Sequence, residues 1–123
     1  MLVISFFFFF RPTDGSFKLI TKGWVEGHGK KIILPCQLYP ETSAVGMTVR
    51  WFKGSQCIYV YNDGQEKKGK GYEDRLTLGE LQKGNVSLKL RNYSYADDKG
   101  VYICQVQDGE HQEEVAVTIA RCK

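Results

Sequence analysis

The stretch Asp98-Lys99-Gly100-Val101-Tyr102-Ile103-Cys104, preceded by Cys36 and Trp51, is the part of the sequence on which the fold turns. Period-two alternation sends Tyr102 and Cys104 to one face of a strand and Val101 and Ile103 to the other. The same period runs through Val86-Ser87-Leu88-Lys89-Leu90 and through Val115-Ala116-Val117-Thr118-Ile119. From Phe17 onward, short segments rich in Val, Ile, Tyr, Phe and Thr recur at roughly ten-residue spacing. Gly23, Gly27, Gly54, Gly64, Gly84 and Gly109 fall between them, where the chain must turn. The pattern predicts an all-β chain of two antiparallel sheets stacked face to face. Its one helix-like segment, Tyr95-Ala96-Asp97-Asp98, has room for a single turn.

The order Cys36, Trp51, Tyr102, Cys104 resembles that of an immunoglobulin domain. The resemblance implies a disulfide between Cys36 and Cys104 across the sheets, Trp51 packed on it, and Tyr102 closing a tyrosine corner. A bridge over about 68 residues contributes roughly 4 kcal/mol in the chain-entropy model, and it implies an oxidising compartment. The 53 residues from Trp51 to Cys104 leave room for edge strands around residues 57–62 and 65–68, as in the V-set β-sandwich. In variable-type domains an arginine placed as Arg75 is pairs with the aspartate that here is Asp98, through a charge-assisted hydrogen bond.

Leu34-Pro35-Cys36, Gly46-Met47-Thr48-Val49-Arg50-Trp51-Phe52, Tyr59-Val60-Tyr61, Tyr72-Glu73-Asp74-Arg75 and Gln112-Glu113-Glu114 narrow the resemblance. Together they are similar to the membrane-distal variable-type domain of the butyrophilin and myelin-oligodendrocyte glycoprotein family, over residues 17–121. The last strand carries Gly109-Glu110-His111-Gln112 where antigen-receptor variable domains have Phe-Gly-x-Gly, which argues against such a receptor chain. The turn after Trp51 is shorter than in typical butyrophilins, and Cys57 and Cys122 are outside the shared framework.

With Trp51 facing the core, alternation is expected to send Arg50, Phe52, Tyr59, Tyr61, Val101, Ile103 and Gln105 to the outer face of the front sheet. Such an apolar outer face suits a protein partner, with Tyr, Phe and Arg as anchors. The loops at residues 39–45 and 107–112 are expected at one end of the sandwich. Asn85-Val86-Ser87 and Asn92-Tyr93-Ser94 are N-glycosylation sequons, both expected outward. Two intervening strands would hold Cys57 too far from Cys122 for a bond, leaving Cys122 able to join two chains.

Residues 1–16, with a nine-residue apolar run from Leu2 to Phe10, read as a signal peptide or a non-native leader. The run is too short to cross a bilayer, which takes roughly 20 residues. Residues 122–123 are expected to begin a stalk or a following domain. The remainder is one domain, with 42% hydrophobic and 25% charged residues. A net charge of +3 does not mark a nucleic-acid binder, and the four cysteines lack the close spacing of a zinc site. His28 and His111 are expected in loops, Asp97 and Asp98 are taken by structure, and the lysines of residues 66–70 read as a solvated hairpin. No catalytic set, cofactor or small-molecule substrate is expected. The resemblance implies the ectodomain of a membrane protein, or a secreted one, anchored only outside this chain. It would bind a receptor on lymphocytes and modulate T-cell activation, or else pair with itself as an adhesion module.

Overall fold

The computed structural model describes residues 16–121. The leader expected at residues 1–16 therefore lies outside the described residues except for Ser16, and so do Cys122 and the expected stalk.

Eleven strands follow in order: β1 (Lys18–Ile20), β2 (Trp24–Glu26), β3 (Lys31–Leu34), β4 (Gln37–Tyr39), β5 (Thr48–Lys53), β6 (Gln56–Asn62), β7 (Gln65–Lys68), β8 (Leu76–Leu78), β9 (Leu88–Arg91), β10 (Gly100–Asp108) and β11 (His111–Ala120). A 3-10 turn, Leu81–Lys83, precedes β9, and one helical turn, α1 (Tyr95–Asp98), precedes β10. The front sheet has six strands in the order β2-β11-β10-β5-β6-β7; the back carries β3-β9-β8 and the pair β1-β4. Strands β6 and β7 are the extra edge strands anticipated from the length between Trp51 and Cys104. They join through Asp63-Gly64, both at positive φ (53° and 78°), the conformation a two-residue hairpin needs to match the strand twist.

Alternation sets the core. In β3 Ile32 and Leu34 are buried while Lys31 and Ile33 are exposed, and in β9 Leu88 and Leu90 face in while Lys89 and Arg91 face out. From the front sheet Val49, Trp51, Tyr102, Cys104, Val106 and Val117 fill the same layer, all at 0% exposure. Each such large side chain contributes roughly 1.5–3 kcal/mol on burial. The Trp51 indole N–H donates to the Val86 carbonyl at 3.0 Å, so its single polar atom is satisfied in the core.

Pro35 interrupts the edge between β3 and β4, and Ser87 repairs the gap. Its hydroxyl accepts from the Cys36 N–H at 2.9 Å and donates to the Cys36 carbonyl at 3.2 Å. Cys36 and Cys104 are both buried, with their thiols in hydrogen-bond contact and not joined as a disulfide. Burial, and then the hydrogen bond with Cys36, pushes the Cys104 thiol well above the ordinary thiol range.

One end of the sandwich is closed by polar contacts. Tyr102 donates its hydroxyl to the Asp98 carbonyl at 2.6 Å. The Asp98 carboxylate, 1% exposed, accepts from Arg75 Nη2 at 2.8 Å and from the Ser94 N–H at 3.0 Å. Arg75 also donates to the carbonyls of Arg91 and Asn92 at 3.0 and 3.1 Å.

Candidate functional site

The outer face of the front sheet is built from alternate residues of five paired strands. Register places Ala116, Ile103, Phe52 and Cys57 in one row across β11, β10, β5 and β6. The next row is Glu114, Gln105, Arg50, Val60 and Lys67, reaching β7. A third holds Gln112, Gln107 and Thr48. Phe52, Ile103 and Val60 are half-buried, and Val101 is 46% exposed beside them.

The polar members of this face hold one another. Arg50 Nη1 donates to Gln105 Oε1 at 3.2 Å and to Gln107 Oε1 at 3.4 Å, and Gln105 Nε2 donates to Glu114 Oε1 at 3.2 Å. Thr48 donates to Asn62 at 2.9 Å. Arg50 is thus positioned between two glutamines with its charge still available to a partner, and Phe52 and Ile103 lie directly across from each other beside it.

Tyr59 and Tyr61 do not belong to this face, contrary to the expectation from alternation. They are 1% and 8% exposed. The register of β5 against β6 slips between Trp51 and Phe52: Trp51 lies opposite Tyr59, Phe52 lies opposite Cys57, and Ile58 is the extra residue. This bulge turns the consecutive residues Ile58 and Tyr59 both inward and resets the phase, so Val60 faces out and Tyr61 faces in. Only the phenol tips reach polar partners, with Tyr59 donating to Glu66 Oε2 at 2.6 Å and Tyr61 to the Val45 carbonyl at 2.6 Å. Burial raises the Tyr59 pKa far above a normal phenol, helped by the Glu66 contact, and the same hydrogen bond lowers the pKa of Glu66.

Further expectations are revised. Residues 107–112 are not a loop but the end of β10 and the start of β11, joined by Gly109 and Glu110 alone. His111 therefore stands in a strand, with Nε2 at 3.2 Å from the Phe17 carbonyl and 3.1 Å from Glu113. Of the two sequons, Asn92 is exposed at the end of β9, whereas Asn85 is half-buried, with Oδ1 accepting from the Ser87 N–H at 3.0 Å. Cys57 is exposed, its thiol donating to the Tyr59 carbonyl at 3.6 Å. Val60, Gln107, Glu114 and Ala116 complete the face without having been singled out from sequence. The alternation of β11 carries the signal for Glu114 and Ala116, once Val117 and Ile119 are assigned to the core. Among the described residues, no group of three or more His, Cys, Asp or Glu side chains is arranged to hold a metal ion.

The family model of the immunoglobulin V-set domain matches residues 22–119. The chain belongs to the immunoglobulin V-set family. This V-set domain is 36% identical over 96 residues to butyrophilin subfamily 1 member A1 of Bos taurus, covering 72% of this chain and 18% of that protein. It is 31% identical over 98 residues to human myelin-oligodendrocyte glycoprotein, covering 74% of this chain and 39% of the relative. The chain thus spans well under half the length of these relatives. The crystal structure of bovine butyrophilin superposes with a TM-score of 0.74 at 28% identity, covering 85% of this chain and 54% of that one.

Proposed function

We propose that this V-set domain is the extracellular recognition module of a butyrophilin-like cell-surface protein, binding a protein receptor on lymphocytes through the outer face of the front sheet to modulate T-cell activation. One observation carries the reading: Phe52, Ile103, Val60 and Val101 form an apolar surface around an Arg50 already fixed by Gln105 and Gln107. Antiparallel sheets usually present polar side chains to water on their free face, and a pre-positioned arginine loses less side-chain freedom on binding. The relationship to butyrophilins supports the extracellular setting, and on this reading the adjacent buried thiols of Cys36 and Cys104 are oxidised to a bridge in the exported protein. On this reading the chain is not an enzyme, and Asn92 is the more open of the two glycan acceptors.

A homophilic adhesion role is the second reading. The row from Glu114 through Gln105 and Arg50 to Lys67 is acidic at one edge and basic at the other. A twofold axis through its centre would set Glu114 of each copy toward Lys67 of the other, the self-complementarity an isologous contact requires.

Flow-cytometric staining of lymphocytes with the tetramerised chain tests the first reading, beside a Phe52→Asp variant shown to be folded by its CD spectrum and thermal midpoint. Saturable staining lost in the variant supports receptor binding. Absent staining, with wild-type self-association in sedimentation that Phe52→Asp abolishes, moves the conclusion to the homophilic reading.

A further inference from the structure

The back sheet carries a different surface. Lys31 and Arg91 stand directly opposite each other on β3 and β9, and Lys89 is one outward position further along β9, opposite Ile33. All three side chains point away from the core, and Lys30 adjoins them. Like charges directly across a strand pair repel and destabilise the sheet. None of these four cations is in an ion pair within 4.0 Å among the described residues. Arg91 donates to the Asp74 carbonyl, which fixes its position without neutralising its charge.

Two concavities meet at Lys31. One, of about 380 Å³, is lined by Lys30, Lys31, Asp74, Arg91 and Asn92. The other, of about 430 Å³, runs between β2 and β3 over Val25, Ile32 and Ile33, with Lys31 and Lys89 on one side and Glu26 with His28 on the other. Four cations thus face two carboxylates, Asp74 and Glu26, and Glu26 already has His28 3.7 Å away.

We propose that this back face binds a sulfated polysaccharide, its sulfate groups taken by Lys30, Lys31, Lys89 and Arg91. The choice of a saccharide over a nucleic acid rests on the extracellular reading above. The cations form a compact patch across two adjacent strands, Lys31 opposite Arg91 with Lys30 and Lys89 flanking them, which suits the closely spaced sulfate groups of a polyanion held by side-chain contacts. An acidic peptide adding as a strand to β3 fits less well: that edge is four residues long and carries an exposed lysine, the usual defence against strand addition. A bilayer surface fits less well too, because Ile33 is the one exposed large apolar side chain of β3 and β9.

The test uses the chain exported to a bacterial periplasm, which adds no glycan at Asn92, and a heparin decasaccharide at physiological ionic strength. Lys31→Glu/Lys89→Glu is compared with Lys70→Glu/Lys83→Glu, an equal charge change at two exposed lysines that line neither concavity, with folding of both verified by thermal midpoint. The back-face pair is expected to weaken binding by about tenfold, equivalent to about 1.4 kcal/mol, and the control pair by less than about twofold. Equal weakening in both, unchanged binding to desulfated heparin, or no binding at all overturns the proposal. Tighter binding to phosphatidylserine vesicles or to polyglutamate than to heparin also overturns it, in favour of a membrane or an acidic peptide. Phe52 is not on this face, so loss or survival of heparin binding is read independently of the front-sheet result.

Discussion

Breaking the Arg75–Asp98 contact tests whether the polar end of the sandwich stabilises it or merely decorates it. The Asp98 side chain is 2% exposed and that of Arg75 21%. Asp98→Asn preserves shape and one acceptor oxygen for the Ser94 N–H but removes the charge that faces Arg75 at 2.8 Å. Removing one partner of a fully buried ion pair costs about 3–5 kcal/mol. Here Arg75 keeps the carbonyls of Arg91 and Asn92 and some contact with water, so the expected loss falls below that range, at about 2–3 kcal/mol. At about 4 °C per kcal/mol for a domain near 100 residues, the thermal midpoint should fall by roughly 8–12 °C. Urea unfolding of the wild type, Asp98→Asn, Arg75→Met and the double variant completes a cycle, with the slope m expected to stay constant. The coupling energy should be about 2 kcal/mol. Single losses below about 1 kcal/mol that add within about 0.5 kcal/mol would show the charge contact to be incidental, and refute the reasoning.

Tyr59, Tyr72 and Tyr102, three of the seven tyrosines, have pKa values raised above the ordinary 10.0, in each case chiefly by burial. A raised folded-state pKa contributes stability that is complete below 10.0 and is lost as pH climbs past it. Phenolate absorbance should therefore show Tyr59 and Tyr102 titrating only together with alkaline unfolding and Tyr72 above its ordinary value; all three ionising near pH 10 with the CD spectrum unchanged would contradict this. Glu66 is lowered from 4.5 first by the Tyr59 hydrogen bond, so Tyr59→Phe should move its NMR titration midpoint upward, and an unmoved midpoint would assign the shift to Lys68. Gly84 has φ 74°, and an added Cβ would lie 2.5 Å from the Thr42 carbonyl oxygen. Gly84→Ala should cost about 1–3 kcal/mol in urea unfolding, whereas Gly46→Ala, with nothing within 4 Å, should cost far less.

What the sequence revealed follows the physics of alternation. Strand β9 carries a polar residue at every second position, and β10 and β11 do so over part of their length, at Gln105 and Gln107 and at Gln112, Glu114 and Thr118, so their inward faces can be read directly, and β6 and β7 follow from chain length. The orientation of Tyr59 and Tyr61 was hidden because Cys57-Ile58-Tyr59-Val60-Tyr61 has no charged residue to mark its phase. A one-residue bulge there inverts every later side chain at no cost visible in the sequence. Residues 107–112 looked like a loop because Gln, Asp, Gly and His have little strand propensity. In the fold their backbone groups are paired by the neighbouring strand of the same hairpin, and pairing overrides propensity.

The net charge of +3 hides how charge is distributed between the two faces. On the front sheet Arg50 is held by two glutamines, one of which also donates to Glu114, so charge there is ordered and partly balanced. On the back sheet Lys31 and Arg91 are set against each other with no carboxylate within 4.0 Å among the described residues. Electrostatic repulsion alone would disfavour that pair, and the core does not require it, since alternation sends both side chains to solvent. The two faces lie on opposite sides of one sandwich, so a ligand on the cations of β3 and β9 leaves Phe52 and Ile103 uncovered. A single V-set domain of this shape can then be concentrated at a polyanionic surface by its back sheet while its front sheet remains free for a protein.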